Sequence, residues 1–283
     1  MAVVAPQRVG AHLAGQMLAI LGAVLLCFAA HVAVFGAIAH ERDQQRAYDA
    51  LRTELANGTA PVSALDEEGR LLAAGTPLAV LEIPRLGVRE VVLEGTSAGT
   101  TASGVGHLRT TPMPGQRGTS VLFGRNAAYG APFGTIDELR AGDRITVTTG
   151  QGVHEYSVTG VRRAGDEYRP KPAGLTLTTA DGPAFLPTDV LRVDAALTSD
   201  PVPGDGPAPR FAVPDEERVM AGDLTALVPL TVWFLALAVF AAALVALRDR
   251  LGRGRAWVIG APVVIALGMT AADTAAALLP NLM

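Results

Sequence analysis

Apolar residues are distributed in two different ways along this chain. Residues 13–39 carry no charged side chain, and two further apolar stretches follow at residues 224–247 and 256–280. At a rise of 1.5 Å per residue, each stretch is long enough to cross a hydrocarbon core about 30 Å thick. The pattern predicts three transmembrane helices, with a differently patterned region between the first and the second.

The first apolar stretch has a second interpretation as a cleaved signal peptide. Ala37-Ile38-Ala39 has the small-residue pattern of a cleavage site. Its apolar region is, however, much longer than the roughly 7–15 residues usual in signal peptides. We therefore favour a retained signal anchor over residues 13–39.

The charges beside the apolar stretches predict the topology. Residues 248–255, between the last two stretches, contain four arginines. Short loops rich in arginine remain in the cytoplasm. With three spans, residues 1–12 are then cytoplasmic and residues 40–223 extracytoplasmic.

The extracytoplasmic region alternates apolar and polar residues with period two, which predicts β-strands. The alternating runs are residues 79–83, 89–93, 120–123, 144–148, 154–161, 174–179 and 190–197. One short helix is predicted at residues 132–140. Seven or eight short strands with one helix indicate a mainly β protein, a closed or nearly closed mixed barrel at residues 78–197. A juxtamembrane linker (40–77) precedes it and a proline-rich tether (198–223) follows.

Composition excludes several classes of function. The chain has 283 residues, of which 23 are basic and 27 acidic, whereas a nucleic-acid-binding protein needs a basic footprint. The single cysteine, Cys27, excludes an intrachain disulfide framework and a multi-thiolate zinc site. No metal-ligand spacing and no cofactor fingerprint occurs, so neither a metal nor a cofactor is predicted.

Short motifs in the predicted barrel follow one another in a characteristic order. They are Ile83-Pro84-Arg85-Leu86-Gly87, Leu93-Glu94-Gly95, Gly104-Val105-Gly106-His107, and the runs at residues 112–122, 133–145 and 175–179. In this order they resemble the sortase family, closest to the class E type of actinobacteria. The resemblance covers about residues 78–197 and implies an eight-stranded sortase barrel on the outer face of the plasma membrane. Active sortases join or cleave surface proteins at a C-terminal sorting signal.

The resemblance implies a cysteine, a histidine and an arginine as catalytic residues, and this chain lacks two of them. The family's cysteine closes a T-L-x-T-C motif, where this sequence has Thr176-Leu177-Thr178-Thr179 followed by Ala180. The family's histidine lies in an A-G-H-R motif, matched here by Phe123-Gly124-Arg125-Asn126. The arginine is matched by Arg192. A methyl group cannot attack a carbonyl, and a guanidinium keeps its proton at physiological pH.

The chain is therefore predicted to be a pseudo-sortase: a scaffold, a regulator or a peptide-binding subunit at the cell envelope. Its expected partners are a sorting-signal peptide or cell-surface protein, or an active sortase or envelope complex. The alternative is a transpeptidase or hydrolase with a substitute nucleophile such as Thr178, which shares the face of Ala180. A threonine hydroxyl needs an adjacent base. His107 belongs to a motif that is structural in the family, and His154 follows a predicted hairpin turn, where solvent is expected.

Two arginines and a threonine form the predicted binding site. If the barrel is kept, Arg125 and Arg192 face one cleft beside Thr178, where a carboxylate or phosphate would accept bidentate hydrogen bonds. The competing interpretation is that Arg125 reaches solvent or pairs with Asp181 or Asp189.

Two ionisable residues lie within the predicted membrane spans. His31 and Asp273 are each roughly 10–13 Å below the outer end of their span, counted at 1.5 Å per residue. Ionisable groups at such depth pair or face a protein interior. A contact between His31 and Asp273, or one shared with a partner's helix, is predicted; independent snorkelling to the interface is the alternative.

Overall fold

The structure is a computed structural model, and it describes residues 22, 25–66, 68–167 and 171–283, with the backbone alone at residues 33, 245–251, 253–257 and 259. The predicted cytoplasmic segment, residues 1–12, and the first part of the predicted span 13–39 lie outside the described residues. The chain divides into two compact units. One contains Gly36–Asp223 with Leu279–Met283, and the other contains Leu224–Leu278 with the described residues before Gly36.

The first unit is built on a closed barrel of eight strands. They are β1 (Pro77–Ile83), β2 (Val88–Glu94), β3 (Val105–His107), β4 (Gly118–Phe123), β5 (Arg144–Thr149), β6 (Gly152–Arg162), β7 (Ala173–Asp181) and β8 (Asp189–Leu197). Their order around the barrel is β1-β2-β3-β4-β7-β8-β6-β5. The pairs β2–β3 and β4–β7 are parallel and the others antiparallel. The predicted mixed, closed barrel is confirmed, and closure leaves no sheet edge exposed.

The interior of the barrel is apolar because alternate residues of each strand point inward. Leu81, Leu122, Leu177 and Val193 come from four different strands and are fully buried in one cluster. The opposite positions of the same strands form the outer surface, where the candidate site lies.

Two short elements escaped the sequence analysis. Strand β3 has only three residues, too few to show an alternation. A short helix, Ala98–Ser103, precedes it, and the Ser97 hydroxyl caps this helix by accepting from the Thr100 N–H at 3.3 Å.

The helix predicted at residues 132–140 is wrong. The structure has only a 3₁₀ turn, Ile136–Glu138, in that region. Phe133 and Ile136 are fully buried in the barrel core. Packing of these two side chains therefore overrides the local helical propensity.

A long helix, α1 (Gly36–Asn57), covers the outer face of β1 and β2; the short helix Ala98–Ser103 is α2. Leu51 of α1 is fully buried against Val80, Val91 and Leu93. The predicted linker 40–77 therefore begins with an ordered helix. Polar side chains at the start of α1 complete the contact. Gln44 accepts from the Val91 N–H at 2.6 Å and donates to the Ser103 carbonyl at 2.8 Å.

The second unit consists mainly of helices α3 (Leu227–Leu251) and α4 (Arg253–Ala276). Among the described residues, one helical segment, Leu224–Leu244, is long and apolar enough to cross a membrane, with a mean hydropathy of 2.4. Gly260–Ala276 is a shorter apolar helix. Three transmembrane helices are therefore not confirmed. The two helices pack closely, since a Cβ at Gly260 would collide with Leu244.

Candidate functional site

The outer face of β7 and β8 carries the residues singled out from the sequence. In the antiparallel register Thr178 is opposite Arg192, and Ala180 is opposite Val190. Phe123, at the end of β4, is the parallel partner of Thr178. Leu177 and Leu191, the core residues that precede Thr178 and Arg192, are buried in the barrel interior. We call the surface formed by Phe123, Thr178, Ala180, Val190 and Arg192 the β7–β8 groove.

Arg125 lies just beyond β4 and is completely buried, with 0% of its surface exposed. Its Nη2 donates to the Ala98 carbonyl at 2.8 Å, and its Nη1 donates to the Met283 main-chain oxygen at 3.2 Å. The guanidinium carbon is 4.8 Å from the centre of the Tyr129 ring, a cation–π contact. Burial lowers the pKa of Arg125 to about 10, so the side chain stays charged at neutral pH.

Arg125 neither reaches solvent nor pairs with Asp181 or Asp189, so that interpretation is wrong. Asp181 accepts from Arg163 at 2.9 Å, and Asp189 accepts from the Val190 N–H at 2.7 Å. Within the described residues, no Asp or Glu carboxylate lies within ion-pair distance of Arg125, and its Nε has no hydrogen-bond partner. Among the described residues, its charge therefore meets two main-chain oxygens and an aromatic ring.

The groove is covered by a segment of the chain from far along the sequence. We call this segment, Leu279–Met283, the returning segment; it belongs to the same compact unit as the barrel. Leu282 is fully buried and packs in one cluster with three groove residues. They are Phe123, Ala180 and Val190. The Leu282 carbonyl accepts from the Asn126 N–H at 3.0 Å. A short peptide thus lies on the face that carries Ala180.

Asn281 fixes the returning segment at its other end. Its side-chain amide donates to the carbonyls of Thr96, at 2.6 Å, and Arg218, at 2.8 Å. Its backbone N–H donates to the Ala221 carbonyl at 2.9 Å. Asn281 is fully buried; its N–H groups are satisfied by these three bonds, whereas its Oδ1 has no hydrogen-bond partner within the described residues.

The predicted site residues are only partly brought together. Thr178 and Arg192 are cross-strand neighbours, and no described hydrogen bond joins either of them to Arg125. The Thr178 hydroxyl is buried and has no hydrogen-bond partner within the described part of the chain. Arg192 is half-buried; burial and the neighbouring Arg162 lower its pKa, against the attraction of two aspartates. One cleft shared by both arginines is therefore not shown.

A buried charged cluster close by escaped the sequence analysis. His107 Nδ1 is 2.9 Å from Glu94, and its Nε2 is 3.1 Å from the Pro112 carbonyl. Arg109 Nε is 3.0 Å from Glu217, and burial raises the pKa of that carboxyl above its ordinary value. Because Glu217 comes from the proline-rich tether, the cluster holds the tether to the barrel. Its residues have no common spacing in sequence, so no motif revealed it.

His154 is buried, and the prediction of a solvated side chain is wrong. Its Nε2 is 3.1 Å from the Thr149 hydroxyl, and a Cβ at Gly115 would collide with its ring. Burial lowers the pKa of His154. The hairpin turn before it was inferred correctly, but the chain around Gly115 covers this face.

In the helical unit, His31 Nε2 lies 3.3 Å from Asp273 Oδ1. His31 is buried, whereas the Asp273 side chain is 72% exposed. The role of this pair in a membrane stays a prediction. Within the described residues, no group of three or more His, Cys, Asp or Glu side chains is placed to hold a metal ion.

Comparison with known proteins defines the class of the barrel. Residues 81–191 match the family model of the sortase domain. Sortase D of Bacillus subtilis (strain 168) is 30% identical over 84 residues, which are 30% of this chain and 41% of that protein. The chain therefore spans less than half the length of this relative.

The chain is also similar to solved structures of sortases. Sortase E from Streptomyces avermitilis is 31% identical, with 52% of this chain and 100% of that chain covered and a TM-score of 0.39. A sortase D5 transpeptidase of Clostridium perfringens is 21% identical, with 56% of this chain and 99% of that chain covered and a TM-score of 0.45. Residues 81–191 of the barrel unit thus form a sortase domain.

Proposed function

We propose that this protein is a membrane-anchored, extracytoplasmic pseudo-sortase of the class E-like type, which binds a peptide without cleaving it. It serves as a scaffold, a regulator or a peptide-binding subunit of a cell-envelope assembly. One observation carries the proposal. Ala180, the residue that matches the family's cysteine, is a buried methyl group packed among apolar side chains. A methyl group provides no nucleophile for acyl transfer.

The environment of Arg125, which matches the family's histidine, supports the same proposal. With a pKa of about 10 the guanidinium retains its proton at neutral pH, so it cannot serve as a general base. Its Nη atoms bind the carbonyls of Ala98 and Met283. Donors that hold peptide carbonyls are suited to binding a peptide.

The alternative of a threonine nucleophile receives no support from the contacts of Thr178. Its hydroxyl has no hydrogen-bonded base within the described residues. His107 is engaged with Glu94, and His154 with Thr149. A threonine hydroxyl without a base is too weakly acidic to attack a peptide carbonyl.

The membrane topology proposed here has three spans and a cytoplasmic N-terminus, with the barrel outside. The apolar segment Leu224–Leu244 and the shorter apolar helix Gly260–Ala276 support the last two spans. The chain leaves the barrel unit after Asp223 and rejoins it at Leu279. A chain that leaves an extracytoplasmic unit and rejoins it must cross the membrane an even number of times, and two spans joined by a cytoplasmic loop meet that requirement.

Labelling with a membrane-impermeant maleimide tests this topology. In a Cys27→Ser background, Asp200→Cys is expected to react in intact cells and Gly254→Cys only after permeabilisation. Reaction of Gly254→Cys in intact cells would contradict the cytoplasmic loop. Labelling of neither site in intact cells would contradict the outer position of the barrel.

Restoring the missing groups tests the absence of catalysis. The full chain in nanodiscs is incubated with fluorescence-quenched sorting-signal peptides, with and without an amine acceptor. No cleavage is expected from the unaltered protein or from Leu282→Asp alone, and cleavage is expected from the triple variant Arg125→His, Ala180→Cys, Leu282→Asp, in which Leu282 no longer fills the groove. Thr198→Cys, an exposed thiol away from the groove, is the matched control. Cleavage by the unaltered protein would contradict the proposal.

A further inference from the structure

We infer that the β7–β8 groove is a binding site for peptides of the form Asn-Leu-x, and that residues 281–283 of this chain are its resident ligand. The inference deepens the proposed function and rests on it, because only a groove without cleavage can keep such a peptide bound. It names the chemical class of the ligand: an uncharged peptide with a side-chain amide followed by a branched apolar residue.

The asparagine is recognised by its shape and by its two N–H groups. Both hydrogen bonds from the Asn281 side chain go to main-chain carbonyls, those of Thr96 and Arg218, which border the groove and form the asparagine part of the site. An aspartate could not donate to either carbonyl, and burial of its charge would be unfavourable. Acceptors fixed on two sides thus distinguish an amide from a carboxylate.

The leucine fits the groove because the β7 residue beneath it, Ala180, has a small side chain. Leu282 is fully buried against Phe123, Ala180 and Val190. Because residue 180 is an alanine, the space beyond its methyl group holds the isobutyl group of Leu282. The residue that removes the nucleophile therefore also provides the apolar pocket.

The backbone of the returning segment is bound as a peptide ligand would be. Three main-chain groups are used: the Asn281 N–H, the Leu282 carbonyl and the Met283 main-chain oxygen. The last of these accepts from Arg125, a buried cation with no Asp or Glu partner within the described residues. Arg125 thus binds the main-chain oxygen of the third residue, so the identity of that residue's side chain is not recognised by this contact.

Covalent attachment gives the returning segment an advantage over a free peptide. A tethered ligand competes at its effective concentration, which is in the millimolar range for short flexible tethers. A peptide from another molecule therefore binds strongly only when the segment is weakened. Weakening residues 281–283 should increase affinity for the same sequence added from outside.

The test uses the full chain in nanodiscs and a fluorescent peptide of sequence Leu-Pro-Asn-Leu-Met. Leu282→Asp is expected to bind this peptide at least tenfold more tightly than the unaltered protein, because a carboxylate is unfavourable in the apolar pocket. Leu186→Asp, which adds the same charge at an exposed position, is the matched control and should bind like the unaltered protein. Adding Ala180→Leu to Leu282→Asp should abolish the gain, and a peptide with alanine in place of asparagine should bind at least tenfold more weakly.

Each outcome decides a separate claim. If folded Leu282→Asp binds the peptide no better than the unaltered protein, the inference is overturned. If Leu282→Asp lacks a cooperative unfolding transition, Asn281→Ala replaces it and must gain at least threefold, or the inference is likewise overturned. Cleavage of the bound peptide, read by mass spectrometry, would overturn the proposed function and leave the groove's specificity standing.

Discussion

Two outer faces of the barrel are covered by other parts of the chain, and their covers differ in kind. The β1–β2 face lies under α1, a helix of 22 residues whose Leu51 is buried against Val91 and Leu93. The β7–β8 face lies under the returning segment Leu279–Met283, in which one side chain, Leu282, fills the apolar pocket. The first cover is an extended apolar contact, whereas the second is a short peptide held by hydrogen bonds on both sides of one apolar side chain.

The polar groups beneath the two covers show a second difference. Under α1, both oxygen and nitrogen of the Gln44 amide are hydrogen-bonded. Under the returning segment, the Thr178 hydroxyl and the Arg125 Nε are buried without partners in the described residues. Unsatisfied buried polar groups lower stability, and proteins retain them mainly at functional sites. Glu54 Oε2 in α1 is likewise buried without a described partner, so the difference between the covers lies in the charge: beneath the returning segment a buried cation, Arg125, has no carboxylate partner in the described residues.

The largest effect is expected from Leu51→Ala in α1. Removing this fully buried side chain leaves a cavity and lowers the free energy of unfolding by about 2–5 kcal/mol. Urea denaturation of the full chain measures the loss. Arg52→Ala, at an exposed position of the same helix, is the control and should change stability by less than about 0.5 kcal/mol. A loss for Leu51→Ala as small as that of Arg52→Ala would contradict the structural role of this cover.

A smaller effect is expected from Leu282→Ala in the returning segment. Burial of one leucine contributes about 2 kcal/mol, and a groove at the surface can fill with water when the side chain is removed. Thermal unfolding measures the loss. Added Leu-Pro-Asn-Leu-Met peptide should restore the lost stability in Leu282→Ala and leave Leu51→Ala unchanged. Equal responses of the two variants to the peptide would remove the distinction between the covers.

The β1–β2 cover should also respond to pH. Burial opposes the charge on His40, but Glu90, at 3.1 Å from its Nε2, and the Ala102 carbonyl, at 3.0 Å from its Nδ1, outweigh it and raise the pKa of His40. A raised pKa contributes stability that is complete below the ordinary value of 6.5 and is lost as the pH rises through the folded value.

The measurement is the free energy of unfolding as a function of pH, for the unaltered chain and for His40→Gln. The substitution should flatten the decrease in stability on the alkaline side of 6.5. His154→Gln provides the opposite control. Burial lowers the pKa of His154, so this residue lowers stability as the pH falls and not as it rises. An unchanged pH dependence in His40→Gln would show that another group controls the attachment of α1.

The strands of the barrel could be predicted from the sequence because each one alternates apolar and polar residues within a short run. Period two in the seven alternating runs located seven of the eight strands, among them β7 and β8. The order of the glycine and proline motifs added the family. Strand β3 could not be found in this way, since three residues, Val105–His107, carry too little periodicity.

The sequence did not predict that the returning segment covers the β7–β8 groove. Residues 279 and 280 fall within the apolar stretch 256–280 and residues 281–283 follow it directly, so the sequence pattern does not set the segment apart. Their partners, such as Thr96 and Asn126, are more than a hundred positions away and contribute main-chain atoms, which leave no pattern of side chains. Likewise, Arg125 binds the main-chain oxygens of Ala98 and Met283, whereas the sequence suggested the carboxylates of Asp181 and Asp189 as its partners.

The smallest effect distinguishes two adjacent threonines of β7. Thr178 has a buried hydroxyl with no partner in the described part of the chain, whereas the Thr179 hydroxyl donates to the Gly124 carbonyl at 2.8 Å. Valine has nearly the same shape as threonine. Thr179→Val should therefore lower the free energy of unfolding by about 1 kcal/mol, and Thr178→Val should leave it unchanged or raise it by up to about 1 kcal/mol.

Urea denaturation of both variants, followed by titration with the Leu-Pro-Asn-Leu-Met peptide, makes the comparison at the site itself. Equal losses of stability in the two variants would show that the Thr178 hydroxyl has a partner in the folded protein. If Thr178→Val is fully stable but binds the peptide more weakly in a Leu282→Asp background, the Thr178 hydroxyl forms a hydrogen bond with the ligand. In that case the Thr178 hydroxyl, which lowers the stability of the fold, is explained by its contact with the bound peptide.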